Sequence, residues 1–397
     1  MKIYNSLTGK KEKAGRPRPL GTYVCGVTPY DVTHLGHAFT YIFFDVLIRY
    51  LKFKNFKITY VQNVTDIDDD IVKRSKRDNV NWKKLGNINL KKYLRDMKTL
   101  NNARPDIMPR ASENIKEIIT IVKALVTKGL AYEGDGNVYF SVDRYKKFGQ
   151  LSRIPKNKML AIANQRGNFP DDPNKNDPLD FVLWQAKKEK HEPSWNSPWG
   201  YGRPGWHIEC SAMSMKHTGK TIDIHGGGSD LIFPHHEAEI AQSENYTGKK
   251  FVRLWMHVAM LKYRGEKMSK SKGNLILVSD LLRKYTSNAI RIMLLSNHYR
   301  KQWEYKENRL KAASKTDKLF SKAHATLSRG KKNLSFASHR KRFYESLDND
   351  IGTPAAFEAL KRLCRTVIRS KGTDIGKAKA FLGEAFNILG LVYRWKR

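Results

Sequence analysis

The chain has 397 residues, 40% hydrophobic and 11% aromatic, which is more than one hydrophobic core normally uses, so two or more domains are expected. Its 74 Lys and Arg against 38 Asp and Glu leave a net charge of +36, an excess that favours a polyanionic partner, nucleic acid above all, over a merely solvated surface. No apolar run approaches the ~20 residues that span a bilayer, no amphipathic anchor stands out, and MKIYNSLTGKKEKAGRPRPL lacks the features of a secretory signal; a cytoplasmic protein without a membrane partner is expected.

In chain order, GTYVCGV (21–27) reads as a short buried strand, and the stretch from Thr33, THLGHAFTYIFFDVLIRYLKF, as a helix with Thr33 as its N-cap. ITYVQNV (58–64) is a second strand, running into TDIDDD. Strand, helix, strand is the βαβ unit of a parallel sheet, where ligands bind at the carboxyl ends of the strands, and Cys25, His34 and Thr65 all fall there. After Arg104 and Pro105 comes an amphipathic helix, ASENIKEIITIVKALVTKGL, then a short strand pair around NVYFSV. QRGNFPDDPNKNDPLD is dense in Pro, Asn, Asp and Gly and reads as a loop. The parallel-sheet pattern resumes at IDIHGGGSDLIF (222–233), with a helix from about Pro234, so an insertion splits the sheet domain. From about Tyr299 the pattern is almost wholly helical, and from Lys301 onward 23 Lys and Arg face 9 Asp and Glu.

Three groups of residues carry chemistry. HLGH, His34 to His37, opens a helix; histidines three apart share a face, Gly36 admits a close ligand, and a helix N-terminus favours anions, although a capping role would explain the same letters. KMSKSKGN, Lys267 to Asn274, places Lys267 and Lys270 three apart in a Ser- and Gly-rich loop suited to clamping a triphosphate. The cysteines are only three, an odd number spread far apart, a pattern unlike a disulfide framework, so reduced thiols are expected. Cys25, Cys210, His235 and Glu239 form a zinc-competent set, the last two on one face of a helix, while buried thiols and a helix-cap histidine remain the plainer reading. His236 competes with His235, but on an ideal helix it points about 100° away and is not expected to join Cys25 and Cys210. Cys364, in ALKRLCRTVI, is expected to be an ordinary core residue.

HLGH followed by KMSKS across a split parallel sheet is the signature pair of class I aminoacyl-tRNA synthetases. Together with YVCGVTPYDVTHLGHA, NVTDIDD, EPSWNSPWGYGRPGWHIECSAM and DIHGGGSDLIFPHHEAEIAQSE, it makes the chain resemble the cysteinyl-tRNA synthetases over about residues 1–300. The cysteine ligase of mycothiol synthesis, which joins cysteine to a glucosaminyl-inositol, shares the fold and most motifs; TPYDVTHLGHA and the QRGNFPDDPNKNDPLD loop lean towards it, whereas Glu239, His225 and IAQSE lean towards the synthetase. An inactive RNA-binding paralogue is a third reading, opposed by the intact motifs.

The resemblance implies an α/β protein: a Rossmann-type parallel-sheet catalytic domain in two halves (1–104 and 201–298, the second with the KMSKS loop), an inserted connective region (105–200), and a helical, basic, tRNA-binding C-terminal domain (299–397). It further implies one zinc per chain, held by Cys25, Cys210, His235 and Glu239 and binding the substrate thiolate directly, so that serine is rejected without an editing domain. Thr65 and Trp206 match positions lining the amino-acid pocket. His34 and His37 match positions beside the ATP phosphates, Lys267 and Lys270 the mobile loop, and Gly227 and Asp230 the nucleoside; magnesium accompanies the ATP. The implied reaction is cysteinyl-adenylate formation from cysteine and ATP, then transfer to the 3′ end of tRNA(Cys). Synthetases of this family usually continue into a small mixed module that helps read the anticodon, whereas here LGLVYRWKR follows the helices, with Trp395, Lys396 and Arg397 as candidate RNA contacts.

Overall fold

The computed structural model describes residues 1–15, 18–30, 32–189, 191–268, 273–328, 330–370 and 372–393. Its centre is a four-stranded parallel sheet in the order Val252–Val258, Ile222–Gly228, Pro19–Val27, Lys57–Val64. Pro19–Val27 comes first in the chain but lies inside the sheet, with the next strand on one side and the two late strands on the other. Such a reversal of order opens a crevice at the carboxyl ends of the strands.

The geometry of that crevice begins with one extra residue. Val24 pairs with Gln62 and Val27 with Val64, so the first strand carries a bulge at Cys25–Gly26, and its pairing to Ile222–Gly228 stops at Val24. Freed from the ladder, the Gly26 N–H donates to Asn63 Oδ1 at 2.7 Å. A Cβ on Gly26 would overlap the Asn63 carbonyl, so only glycine permits this approach. The bulge turns Cys25 out of the sheet and into the crevice.

The helix after the first strand is Leu35–Phe53, apolar nearly all round because it packs both on the sheet and on the helices of the C-terminal region. Its cap is His34 rather than Thr33: His34 Nδ1 accepts the Gly36 N–H at 3.1 Å, while the Thr33 carbonyl accepts from the Val278 N–H. Beyond the edge strand Lys57–Val64 lie two further helices, Asp69–Asp78 and Trp82–Thr99, capped by the side chains of Asp68 and Asn81.

Between Lys57–Val64 and Ile222–Gly228 the chain also forms the helix Ile115–Thr127 and an antiparallel sheet in the order Ala131–Gly134, Asn137–Phe140, Phe181–Ala186, Gly202–Pro204. Residues 165–180 form a loop without helix or strand. After the strand Ile222–Gly228 the chain does not enter an α-helix at Pro234. Ser229–Leu231 is a 3-10 turn, Ile232–His236 is π-helical with Phe233 extended, and the α-helix is Glu237–Thr247.

Four helices, Glu307–Ala325, Ala337–Asp348, Thr353–Arg369 and Gly376–Ile388, make up most of the C-terminal region. One apolar cluster runs from Phe44 and Leu47 through Leu294 to Leu310, Phe320, Phe343, Leu360 and Phe381, so the helices share their core with the sheet. Cys364 lies inside that cluster with its thiol pushed up by burial. No helix among the described residues is long and apolar enough to cross a membrane.

Candidate active site and metal centre

The bulged strand supplies Cys25, the helix Trp206–Thr218 supplies Cys210, and the turn into Glu237–Thr247 supplies His235 and Glu239. One donor atom from each of these four lies within 4.8 Å of the others, and all four residues are buried. Cys25 Sγ is 3.8 Å from Cys210 Sγ, 3.7 Å from His235 Nε2 and 3.6 Å from Glu239 Oε1, and the cysteines are not bonded to each other. Two thiols, one imidazole and one carboxylate suit zinc better than a hard oxygen-seeking cation.

Electrostatics accompany this convergence. Burial pushes the Cys210 thiol up, but the hydrogen bond from Cys25 and the charge of His235 outweigh it and bring it down to about 6. Burial likewise opposes charge on Glu239, yet His225 and His235 hold its carboxyl down at about 2. The Cys25 thiol is pushed up, first by burial and then by its neighbours Cys210 and Glu239. A metal cation would relieve this crowding of anionic donors, as thiolate ligands require.

Surrounding groups orient the donors. His207 Nδ1 sits 2.9 Å from His235 Nδ1, which leaves His235 Nε2 facing the cysteines. His225 Nε2 is 2.9 Å from Glu239 Oε2, so Oε1 is the oxygen turned to the cluster. Trp206 stacks on His235 with ring centres 4.3 Å apart.

His236 does join Cys25, at 3.3 Å, contrary to the expectation from an ideal helix. Cys25 Sγ lies within reach of both rings, 3.7 Å from His235 Nε2 and 3.3 Å from His236 Nε2, so two histidines that diverge along the chain still meet one thiol. His236 belongs to a second group with Cys25, His225 and Glu239, not with Cys210. That group holds a single thiol, its His225 Nε2 is engaged by Glu239, and His236 Nδ1 is 2.8 Å from His257 Nε2, so the two-thiol set is the better metal site.

Thr65 lies buried just past the edge strand, its N–H donating to the Val27 carbonyl at 3.0 Å and its hydroxyl accepting from Asn63 Nδ2. Gly227 passes close to the donors: a Cβ there would lie 2.8 Å from Leu231 Cδ1 and 3.5 Å from Cys25 Cβ. His34 and His37 stack with ring centres 3.7 Å apart at the helix start, tied to the segment after KMSKS by the Leu35 N–H to Ile276 carbonyl bond of 2.8 Å. Lys267 Nζ pairs with Asp230 Oδ2 at 2.8 Å, and that charge holds the Asp230 carboxyl below its ordinary range against burial. Lys270, like Trp395, Lys396 and Arg397, lies outside the described residues. Sequence reasoning gave no positioning role to His207, His225 or His257. His207, immediately after Trp206 in GWHIEC, was the most findable of them.

A family model described as the tRNA synthetases class I (C) catalytic domain matches residues 11–315. Among solved structures, the methionyl-tRNA synthetase of Mycobacterium tuberculosis in complex with methionyl-adenylate superposes with a TM-score of 0.65 at 14% identity, over 94% of this chain and 89% of that one. LeuRS of Agrobacterium radiobacter, in a ternary complex with tRNA and LeuAMS, gives 0.67 at 9% identity, over 95% and 84%. Fold and family model thus define the class, the class I tRNA synthetases. The chain is 42% identical over 399 residues to the cysteine–tRNA ligase of Dehalococcoides mccartyi, covering 98% of this chain and 86% of that protein. With that of Shigella sonnei it shares 44% identity over 402 residues, covering 99% and 85%. The chain belongs to the cysteine–tRNA ligase family of class I synthetases.

Proposed function

We propose that this chain is an ATP-dependent cysteine–tRNA ligase, which forms cysteinyl-adenylate and then transfers the cysteinyl group to the 3′ end of tRNA(Cys). The observation that carries the reading is the buried Cys25, Cys210, His235 and Glu239 set beside HLGH at the carboxyl ends of a parallel sheet. Cys25, Cys210, His235 and Glu239 would hold a zinc ion, which when bound would favour the substrate's sulfur as thiolate over a serine hydroxyl. Trp206, stacked on His235, and Thr65, at the end of the edge strand, wall the space for the rest of the amino acid.

The substrate carboxylate attacks the α-phosphorus of ATP, brought as its magnesium complex, and pyrophosphate leaves. No base is needed, because the attacking oxygen is already anionic. Alignment and stabilisation of charge on the phosphates are what the side chains contribute. His34 and His37 stand at a helix N-terminus whose free N–H groups favour anions. Lys267 exchanges its Asp230 partner for phosphate oxygens, and Lys270, three residues on in the sequence, supplies a second cation for them. A ribose hydroxyl at the RNA 3′ end then attacks the carbonyl carbon and AMP leaves.

The basic helical region supports RNA as the acceptor. Lys311, Lys315, Lys318 and Lys322 recur along one exposed face of Glu307–Ala325, a spacing that suits phosphate contacts. The deciding experiment offers the purified protein tRNA and glucosaminyl-inositol side by side, with cysteine and ATP. Cysteinyl-tRNA formation supports the reading. Ligation to the amino sugar alone overturns it.

A further inference from the structure

The helix Trp82–Thr99 carries six Lys and Arg and one acidic residue, the buried Asp96. Lys84, Ile88, Lys91, Arg95 and Lys98 are all exposed, and their alternating steps of four and three put them on one face, opposite the buried Leu85, Tyr93 and Met97. Lys84 to Lys98 extends about 21 Å, a length over which a nucleic-acid duplex presents on the order of ten phosphates. Arg95 stands 3.9 Å from Asp96, whereas Lys84, Lys91 and Lys98 enter no ion pair among the described residues. A solvated helix face is normally steadied by charges of both signs, and like charges such as Lys91 and Arg95 four apart cost about 0.2–0.5 kcal/mol. This face is built against helix stability and towards a polyanion.

Its two ends indicate which part of a polyanion it meets. At the C-terminal end, the Leu100 carbonyl accepts from Arg291 of the helix Ser287–Leu295 at 3.0 Å, and Asn101 Nδ2 donates to the Gly390 carbonyl at 2.9 Å, which anchors the helix end to the basic C-terminal region. At the N-terminal end, Trp82 meets Trp195 edge-on, ring centres 6.4 Å apart, beside a cleft of about 460 Å³ also lined by Lys83, Arg110 and Ser112. Ser112 donates twice to the carboxylate of Asp66, the residue after Thr65. The helix therefore runs from the C-terminal region to the mouth of the amino-acid site.

We infer that the exposed face of Trp82–Thr99 binds the phosphate backbone of the RNA's 3′-terminal arm and leads its end to the crevice, an inference that rests on the tRNA-ligase reading above. The experiment uses the full chain with three lysines neutralised, Lys84→Gln, Lys91→Gln and Lys98→Gln. Glutamine keeps helix propensity, and none of the three touches the cysteine or ATP site. A control removes the same charge at the amino ends of the parallel strands, Lys220→Gln, Lys249→Gln and Lys250→Gln, on the opposite pole of the sheet.

Cysteine-dependent pyrophosphate exchange is expected to be unchanged in both variants. The helix variant is expected to bind tRNA at least tenfold more weakly than the control in low salt. Its log affinity against log salt concentration should also be shallower than that of the unmodified protein by about 2–3. Equal losses in both variants, or no loss in the helix variant, would overturn the inference while leaving the ligase reading intact. An unmodified protein that charges no tRNA would overturn the reading itself, and the inference with it.

Discussion

Arg291 and Asp45, both fully buried, meet at 2.6 Å, and this pair ties the helix that begins at HLGH to the helix Ser287–Leu295, just before the C-terminal region. Arg291 also donates to the carbonyls of Leu100 and Leu389, and Asp45 accepts from Arg49 and from the Ala103 N–H. Every charge in the pair is therefore hydrogen-bonded, the condition under which a buried ion pair is tolerated. Tyr50 adds a bond to Asp348 at 2.9 Å and Phe53 stacks on Tyr344, so the same helix is held to the C-terminal region along much of its length.

Removing one partner of that pair should cost far more than removing both. Asp45→Leu leaves the buried Arg291 with only the Leu100 and Leu389 carbonyls and no counter-charge among the described residues, and is expected to lower unfolding stability by roughly 3–5 kcal/mol. The double change Arg291→Met with Asp45→Leu should recover most of that loss. Denaturant unfolding of the two variants checks this, and a double variant less stable than the single one would count against it.

His225 aims Glu239 through Oε2, so His225→Asn should weaken zinc without touching a ligand. Loss of such a support typically costs about 10–100-fold in metal affinity. Competition with a chromogenic chelator measures it directly, alongside KM for cysteine, which should rise more than KM for ATP. Unaltered zinc affinity would show that Glu239 does not depend on His225 for its orientation.

Lys267 is exposed and its contact with Asp230 adds little stability, so substituting it tests the proposed phosphate role without disturbing the fold. Lys267→Gln is expected to slow pyrophosphate exchange by about 10²-fold or more while leaving zinc content and thermal unfolding unchanged. A variant exchanging at the unmodified rate would remove Lys267 from the phosphate site.

Much of the arrangement was legible because each donor sits in a segment whose local pattern is strong. GTYVCGV and IDIHGGG are short apolar runs beside turn residues, and both became neighbouring strands of the parallel sheet. What escaped depends on departures from ideal geometry. The bulge at Cys25–Gly26 and the π turn at Ile232–His236 leave no periodic signal. The helices Asp69–Asp78 and Trp82–Thr99 were hidden by their charge, which dilutes the apolar periodicity. The helical C-terminal pattern was visible, but the apolar cluster it shares with Phe44 and Leu47 was not, since contacts across 250 residues have no sequence period. For that reason removing everything after Lys301, which would strip Leu310, Phe320, Phe343 and Leu360 from the core, is a poor way to separate activation from transfer.

The most direct measurement is amino-acid-dependent exchange of pyrophosphate into ATP, without RNA, on the purified protein, on protein stripped of metal, and on stripped protein reloaded with zinc. Exchange with cysteine is expected to be strong in the first and third and lost in the second, with serine giving little signal in any. Equal exchange with serine and cysteine, or cysteine exchange that survives complete removal of the metal, would contradict a specificity built on Cys25, Cys210, His235 and Glu239.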